Sequence, residues 1–259
     1  STIRPTAPAR LALAKALSPA FVRVSGSWAN NTYIPAPGER PAGIPAGFQQ
    51  VLLPDQWHGM IDFSKAVGAP LVTSFAVSGG TRDAYGRWTP VQAQRFVDLT
   101  RKFGGSIYAA EFFNEPNIPM ASPGVPAKYS AANYTVDFQT FRTWARKSLP
   151  QMRILGPSGI GDGAKGEVAA AFGDSFIPSE DLIKPRPNSV DAVSYHFYGS
   201  VSQRCGSNGR ASAQKDDALK PAWLDHTLPY YDYYARLRDQ YEPGKPIWNT
   251  ETAQAACGG

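Results

Sequence analysis

The sequence predicts an α/β domain of parallel strands joined by crossover helices, on three observations. Short apolar runs of strand length alternate with amphipathic stretches of helix length along the whole chain. No internal repeat and no low-complexity linker interrupts the alternation. Glu115, His196 and Glu251 each fall at the carboxyl end of a different apolar run, which is where α/β proteins gather their chemistry.

In order, residues 10–17 carry Leu11, Leu13, Ala14 and Leu17 on one face and predict a helix. Phe21-Val22-Arg23-Val24-Ser25-Gly26 is the first strand, and the Pro- and Gly-rich stretch 33–48 a loop. A helix over 56–67 leads to a buried strand, Pro70-Leu71-Val72-Thr73-Ser74-Phe75-Ala76-Val77. Thr89-Pro90 opens a helix over 91–103, because a proline in the first turn lacks only an N–H that would have no helical partner. Residues 107–113 form the next strand, running on to Glu115. A proline-bearing loop over 118–128 and an amphipathic helix over 134–148 follow. Arg153-Ile154-Leu155 is a short strand with a Gly-rich loop over 156–166 behind it. Val190-Asp191-Ala192-Val193-Ser194-Tyr195-His196 is a strand with its loop over 198–216. Residues 224–241 are a helix and 245–249 the last strand.

A closed barrel and an open doubly wound sheet both fit this alternation. An open sheet uses only its switch point, whereas a (β/α)8 barrel collects residues from the ends of several strands. Three candidate residues on three strand ends favour a TIM-type (β/α)8 barrel. Six strands are countable and eight close a barrel, so the barrel is read as incomplete, with residues 1–259 a single catalytic domain. One strand before Ser1 and one after Gly259 are expected in a further segment or a second chain.

Composition narrows the classes. The chain of 259 residues is 42% hydrophobic and 18% charged, as globular domains are. No apolar run approaches the roughly 20 residues of a membrane span, so no membrane partner is expected. The net charge of +5 includes no clustered basic stripe, which argues against nucleic acid. The mild positive bias suits an anionic polysaccharide as well as an ordinary solvated surface. The chain opens on Ser1, as a processed product would, and a secreted or periplasmic location is expected. Cys205 and Cys257 follow predicted strands, and both a disulfide and two free thiols remain open. Asn30-Asn31-Thr32 and Asn133-Tyr134-Thr135 are sequons too short to weigh heavily.

The candidate chemistry lies in Glu111-Phe112-Phe113-Asn114-Glu115-Pro116-Asn117 and Pro246-Ile247-Trp248-Asn249-Thr250-Glu251-Thr252. Paired carboxylates on separate strands are what glycosidic hydrolysis requires. One acid protonates the leaving oxygen while the other attacks the sugar carbon, from carboxyl groups about 5–5.5 Å apart in retaining enzymes. A capping carboxylate is the plain alternative for each. Strand alternation also sets Arg23, Ser25 and Ser27 on one face, and Glu111, Phe113 and Glu115 on another. If those faces point inward, Arg23 and Glu111 are buried charges that need partners. Arg23 would then neutralise Glu111 or keep Glu251 ionised.

Rival chemistries find less support. Gly159-Ile160-Gly161-Asp162-Gly163 follows a strand as a phosphate cradle would, but its spacing matches no nucleotide fingerprint. The histidines at 58, 196 and 226 show no metal-ligand spacing. No Gly-x-Ser-x-Gly elbow is present. Two carboxylates suffice for hydrolysis, so no metal and no cofactor is expected.

Asn114-Glu115-Pro116 at a strand end, an aromatic strand with His196, and Glu251 after Ile247-Trp248 together resemble the clan A retaining glycoside hydrolases. Further blocks resemble glycoside hydrolase family 79, the heparanase and β-glucuronidase family, in the family's order and over nearly the whole chain. They are 17–26, Leu155-Gly156-Pro157, Val193-Ser194-Tyr195-His196-Phe197-Tyr198, and Gly244-Lys245-Pro246-Ile247-Trp248 running to Glu251-Thr252. The resemblance implies a carbohydrate substrate, with Glu115 as acid/base and Glu251 as nucleophile. It also implies that Asn114 bonds the sugar 2-hydroxyl, and that His196 or Tyr198 positions Glu251 or touches the sugar. Ser25 on the inward face, and Ser78, Arg82 and Arg87 in the loop after the second strand, are further candidates for substrate contact. Trp28, Tyr85, Trp88 and Trp248 are candidates for stacking on sugar rings or for packing. The chain departs from the family after the nucleophile. There Ala256 and Cys257 stand where a uronate-binding tyrosine and a glycine are expected, while Gly258 and Gly259 remain. A β-sandwich typical of the family is expected outside this stretch.

Overall fold

The computed structural model describes residues 8–122, 124–163, 173–202, 216 and 220–256. Cys205, Cys257, Gly258 and most of the 198–216 loop lie outside the described residues, so the disulfide question and the Gly258 assignment lie there too. The chain divides into two compact units. One comprises Ser1–Asn114 and Pro119–Ile154, the other Glu115–Ile118 and Leu155–Gly259.

The first unit opens with helix α1 (Pro8–Ala16) and holds three parallel strands, β1 (Val22–Val24), β4 (Leu71–Thr73) and β5 (Ile107–Glu111), paired in chain order. Between β1 and β4, β2 (Thr32–Tyr33) and β3 (Gln50–Val51) pair in parallel at the two ends of the expected Pro/Gly loop. Backbone bonding continues past the β4–β5 ladder and then leaves it. The Phe75 N–H donates to the Phe112 carbonyl, and the Val77 N–H to that of Asn30.

Helix α2 (Pro54–Val67) starts on a proline and ends at left-handed Gly68, whose φ is 67°. Helix α3 (Val91–Lys102) follows Pro90. Helix α4 (Ala131–Ser148) opens on a reciprocal cap, in which the Asn133 N–H donates to Ser130 Oγ at 3.3 Å and the Ser130 N–H to Asn133 Oδ1 at 3.1 Å. These elements bury an aromatic core. Phe112 stacks on Phe141 with centroids 5.0 Å apart, and Trp88 meets Phe112 edge-on at 5.2 Å.

The second unit holds most of β6 (Arg153–Ile160), with β7 (Ala192–Tyr198) and β8 (Ile247–Ala253), again parallel and in chain order. Three sequence expectations need correction here. The Gly-rich stretch after Leu155 is mostly strand, with Gly159 in register with Tyr195 and Ile160 with His196. Glycine and proline normally mark loops, but here a small residue lets neighbouring side chains come against the strand. β7 and β8 both run further toward the carboxyl end than expected, so His196 and Glu251 lie within the strands. The single helix expected over 224–241 is broken into α6 (Pro221–Leu224), a 3-10 turn at Asp225–Thr227, and α7 (Leu228–Tyr241). Pro229 explains the break, since it has no N–H to donate to a preceding turn. A short helix, α5 (Ser179–Ile183), completes the unit.

Parallel strands paired in chain order and joined by helices are the (β/α)8 pattern, and the described residues carry six strands of it. None of the described helices is long and apolar enough to cross a membrane.

Candidate active site

The strongest constellation lies in the second unit, and strand alternation builds it. On β7, Tyr195 stacks on Tyr234 of α7 at 4.7 Å and Phe197 meets Tyr230 edge-on at 5.1 Å. His196 and Tyr198 therefore project from the opposite face. Register brings β8 alongside, pairing His196 with Glu251.

Tyr198 donates its hydroxyl to Oε1 of Glu251. Nδ1 of His196 lies 3.0 Å from Oε1 of Glu115 and 3.9 Å from Oε2 of Glu251. One carboxylate oxygen of Glu115 and one of Glu251 lie within 4.8 Å of each other. The His196 side chain is fully buried, while those of Glu115 and Glu251 are 10% and 25% exposed. The two acids thus sit at the edge of solvent, with an imidazole behind them.

The His196–Glu115 contact suits a carboxyl that cycles between two protonation states. An ionised carboxylate accepts from Nδ1–H, whereas a neutral carboxylic acid donates to Nδ1 in the other tautomer. Either state keeps one hydrogen bond at this position. The same three side chains offer donor atoms mutually within 4.8 Å, a set able to hold a divalent cation. Ligand spacing in the sequence does not reveal it, because the three donors come from separate segments.

Glu115 stands beyond β5, with a left-handed φ of 51°. Its carbonyl accepts from the Ile118 N–H at 3.2 Å, closing a turn with Pro116 at its second position. Asn117 in that turn is fully buried, and Asp162, which it contacts, is nearly so. Sequence reasoning assigned no role to Asn117 and read the Asp162 loop only as a rejected phosphate cradle. The available signal was an amide so close behind the candidate acid.

The first unit holds the other candidates. Arg23 Nη2 lies 2.9 Å from Oε2 of fully buried Glu111, so Arg23 neutralises Glu111 as one sequence alternative held. The same nitrogen donates to Oδ1 of Asn114 at 3.1 Å, and the Asn114 backbone is clasped on both sides by the Asn30 amide. Ser25 Oγ lies 2.6 Å from Ser74 Oγ.

Several expectations change. Ser78 is fully buried. Arg82 is buried against Asp137 at 2.8 Å and bonds the carbonyls of Val77 and Gly86. It closes its own loop rather than meeting an anion. Trp88 is core, its indole donating to the Ala76 carbonyl at 2.9 Å. Arg87 and Tyr85 are exposed, and Trp28 is partly so.

No family model matches the chain. Solved structures do. A GH51 arabinofuranosidase from Xanthomonas axonopodis pv. citri superposes with a TM-score of 0.63 at 16% identity, over 95% of this chain and 50% of that one. A thermostable GH51 alpha-L-arabinofuranosidase from Thermotoga petrophila gives 0.59 at 17%, over 93% and 48%. A family 51 alpha-L-arabinofuranosidase from Bifidobacterium longum gives 0.57 at 17%, over 98% and 51%. The chain thus spans about half the length of the structures it matches. At these identities the likeness is one of fold.

Proposed function

We propose that this chain is the catalytic part of a retaining β-glycoside hydrolase. The observation that carries the reading is the approach of Glu115 and Glu251 to within 4.8 Å, oxygen to oxygen. That suits the carboxyl separation of about 5–5.5 Å in retaining enzymes and leaves no room for the water an inverting enzyme places between its acids. Glu251, held by Tyr198, attacks the anomeric carbon and forms a glycosyl ester as the C–O bond to the leaving group breaks. Glu115 gives its proton to the departing oxygen. In the second step Glu115 takes a proton from water, whose oxygen attacks the anomeric carbon and releases Glu251. His196 holds Glu115 in both states. Asn114, whose amide Nδ2 lies 3.5 Å from Ser27 Oγ, is assigned to the sugar 2-hydroxyl.

The substrate assigned is a β-linked glucuronide, as an end group or within a glycosaminoglycan, on the resemblance to family 79 and the net charge of +5. A secreted or periplasmic location and a further segment completing the barrel belong to the same proposal. A second reading is a glycosidase for neutral sugars. It is favoured by Ala256 and Cys257 at the expected uronate-binding positions and by arabinofuranosidases among the structural neighbours.

The test uses the full-length protein and a 2-deoxy-2-fluoro aryl β-glucuronide, which traps the glycosyl ester. Peptide mapping is expected to find the sugar on Glu251, and Glu251→Gln to abolish the label. Label on another residue removes Glu251 from its role. Turnover of an aryl β-glucoside or α-L-arabinofuranoside with none of the glucuronide selects the second reading. A parent protein that binds sugar but turns over none of the three is a carbohydrate-binding module, and the catalytic reading fails.

A further inference from the structure

Glu115 adopts a backbone conformation that its own sequence disfavours. Its φ of 51° is left-handed, a state that costs a non-glycine residue roughly 1–3 kcal/mol and persists only where the surroundings impose it. The following residue is Pro116, and a residue before proline is pushed toward extended backbone. Something other than local preference therefore holds this turn.

Asn117 supplies the hold. Its Nδ2 donates to the Ile160 carbonyl at 2.7 Å and to Oδ2 of Asp162 at 3.0 Å, while its Oδ1 accepts from the Ile160 N–H at 3.0 Å. The side-chain amide thus mimics a strand partner at the end of β6. The Asn117 backbone carbonyl accepts from the Ile177 N–H at 2.9 Å. Asp162 is itself fixed. It accepts from the Ser179 N–H at 2.8 Å, from Ser179 Oγ at 2.6 Å and from the Tyr234 hydroxyl at 2.7 Å. Asn117, Asp162, Ser179 and Tyr234 are all almost wholly buried. The consequence is visible in the chain's division, where Glu115–Ile118 leaves the unit of its flanking residues and joins that of His196 and Glu251.

We infer that Asn117, locked by Asp162 and the Ile160 backbone, is the positioning residue that holds Glu115 where its carboxyl meets His196 and can reach a leaving-group oxygen. The inference rests on the glycosidase reading above. Asn117 touches no reacting atom, since it acts through the turn. Its loss frees the Glu115 backbone to relax, which moves the acid and leaves Glu251 with Tyr198. Misplacement of a reacting group by about 1 Å costs on the order of 100-fold.

The experiment compares two leaving groups on the full-length protein. Aryl β-glucuronides, or aryl glycosides of whichever sugar the parent hydrolyses, are used with 2,4-dinitrophenol and with phenol. Departure of dinitrophenolate needs no proton, whereas that of phenolate does. Asn117→Ala is expected to lose roughly 30–100-fold in kcat/KM on the phenyl substrate and less than about threefold on the dinitrophenyl one. Asp162→Asn keeps its size and is expected to show the same selectivity at smaller amplitude. It carries the test if Asn117→Ala does not fold. Equal losses on both substrates mark a general structural role and overturn the inference, as does no loss on either. A parent inactive on every sugar is a different result, which defeats the glycosidase reading and this inference with it.

Discussion

At the scale of single residues, two buried charges are answered by opposite ones. Glu111 is fully buried, and Arg23 meets it at 2.9 Å. Arg82 and Asp137 form a second such pair at 2.8 Å, with the Tyr129 hydroxyl also donating to Asp137. Removing one member strands the other charge in a poorly solvated place, which costs about 3–5 kcal/mol. Arg23→Met is therefore expected to lower the unfolding free energy by about that amount, read by chemical denaturation. Adding Glu111→Gln is expected to recover part of the loss, because a neutral amide tolerates burial better than an orphan carboxylate. A double variant no more stable than Arg23→Met alone would show that packing, not charge, is what Arg23 supplies. The pairing was legible beforehand from the alternation that puts Arg23 and Glu111 on inward faces. Which partner Arg23 would choose was not, since both Glu111 and Glu251 met the same electrostatic need.

At the scale of elements, the six described strands β1 and β4 to β8 could be read from their apolar runs, while their ends, and the short β2–β3 pair, could not. β7 and β8 run past the expected stop, with Phe197 held in register with Thr252. β6 is the clearest case. Its glycines look like a loop, yet a Cβ on Gly159 would come within 2.0 Å of Ser179 Oγ and 2.8 Å of the Tyr234 hydroxyl. The glycine marks the closeness of Asp162's partners, which is a fact of tertiary packing. Gly159→Ala and Gly68→Ala separate two reasons for a glycine. Gly68 has a left-handed φ of 67° and open space around its absent Cβ, so alanine there is expected to cost only the conformational penalty of about 1–2 kcal/mol. At Gly159 the alanine methyl displaces the Ser179–Tyr234–Asp162 cluster, at an expected cost of about 1–3 kcal/mol for overpacking. The two variants should differ in selectivity more than in stability. Only Gly159→Ala is expected to depress kcat/KM on the phenyl glycoside relative to the dinitrophenyl one, because only it disturbs what holds Asn117. An equal ratio in both variants would disconnect β6 from Glu115.

At the scale of the whole molecule, the pairing of Glu115 with Glu251 was foreseeable from two acids at strand ends. The buried scaffold behind them was not, because Asn117, Asp162 and Ser179 lie far apart in the chain and none carries a motif. That scaffold has a consequence for pH. Burial raises the carboxyl of Asp162 above its ordinary range, although donation from Ser179 and Tyr234 pulls it partly back. Burial likewise raises Glu242, against donation from the N–H groups of Ser189 and Val190. An acid raised in the folded state binds its proton more tightly there than in the unfolded chain. Its contribution to stability is therefore complete below the unfolded value of about 4 and is lost as pH rises through the folded one. Both groups sit in the unit that carries the candidate site, so their effects on its unfolding add with the same sign. Thermal unfolding of the parent, Asp162→Asn and Glu242→Gln between pH 4 and pH 8 tests this. Each variant puts an amide NH2 where one carboxyl oxygen met surrounding donors, and should melt below the parent at low pH. That deficit should narrow as pH rises, because the parent alone bears the growing cost of a buried charge. A deficit that widens with pH would mean the donors around these carboxylates outweigh their desolvation and that the sign assigned here is reversed.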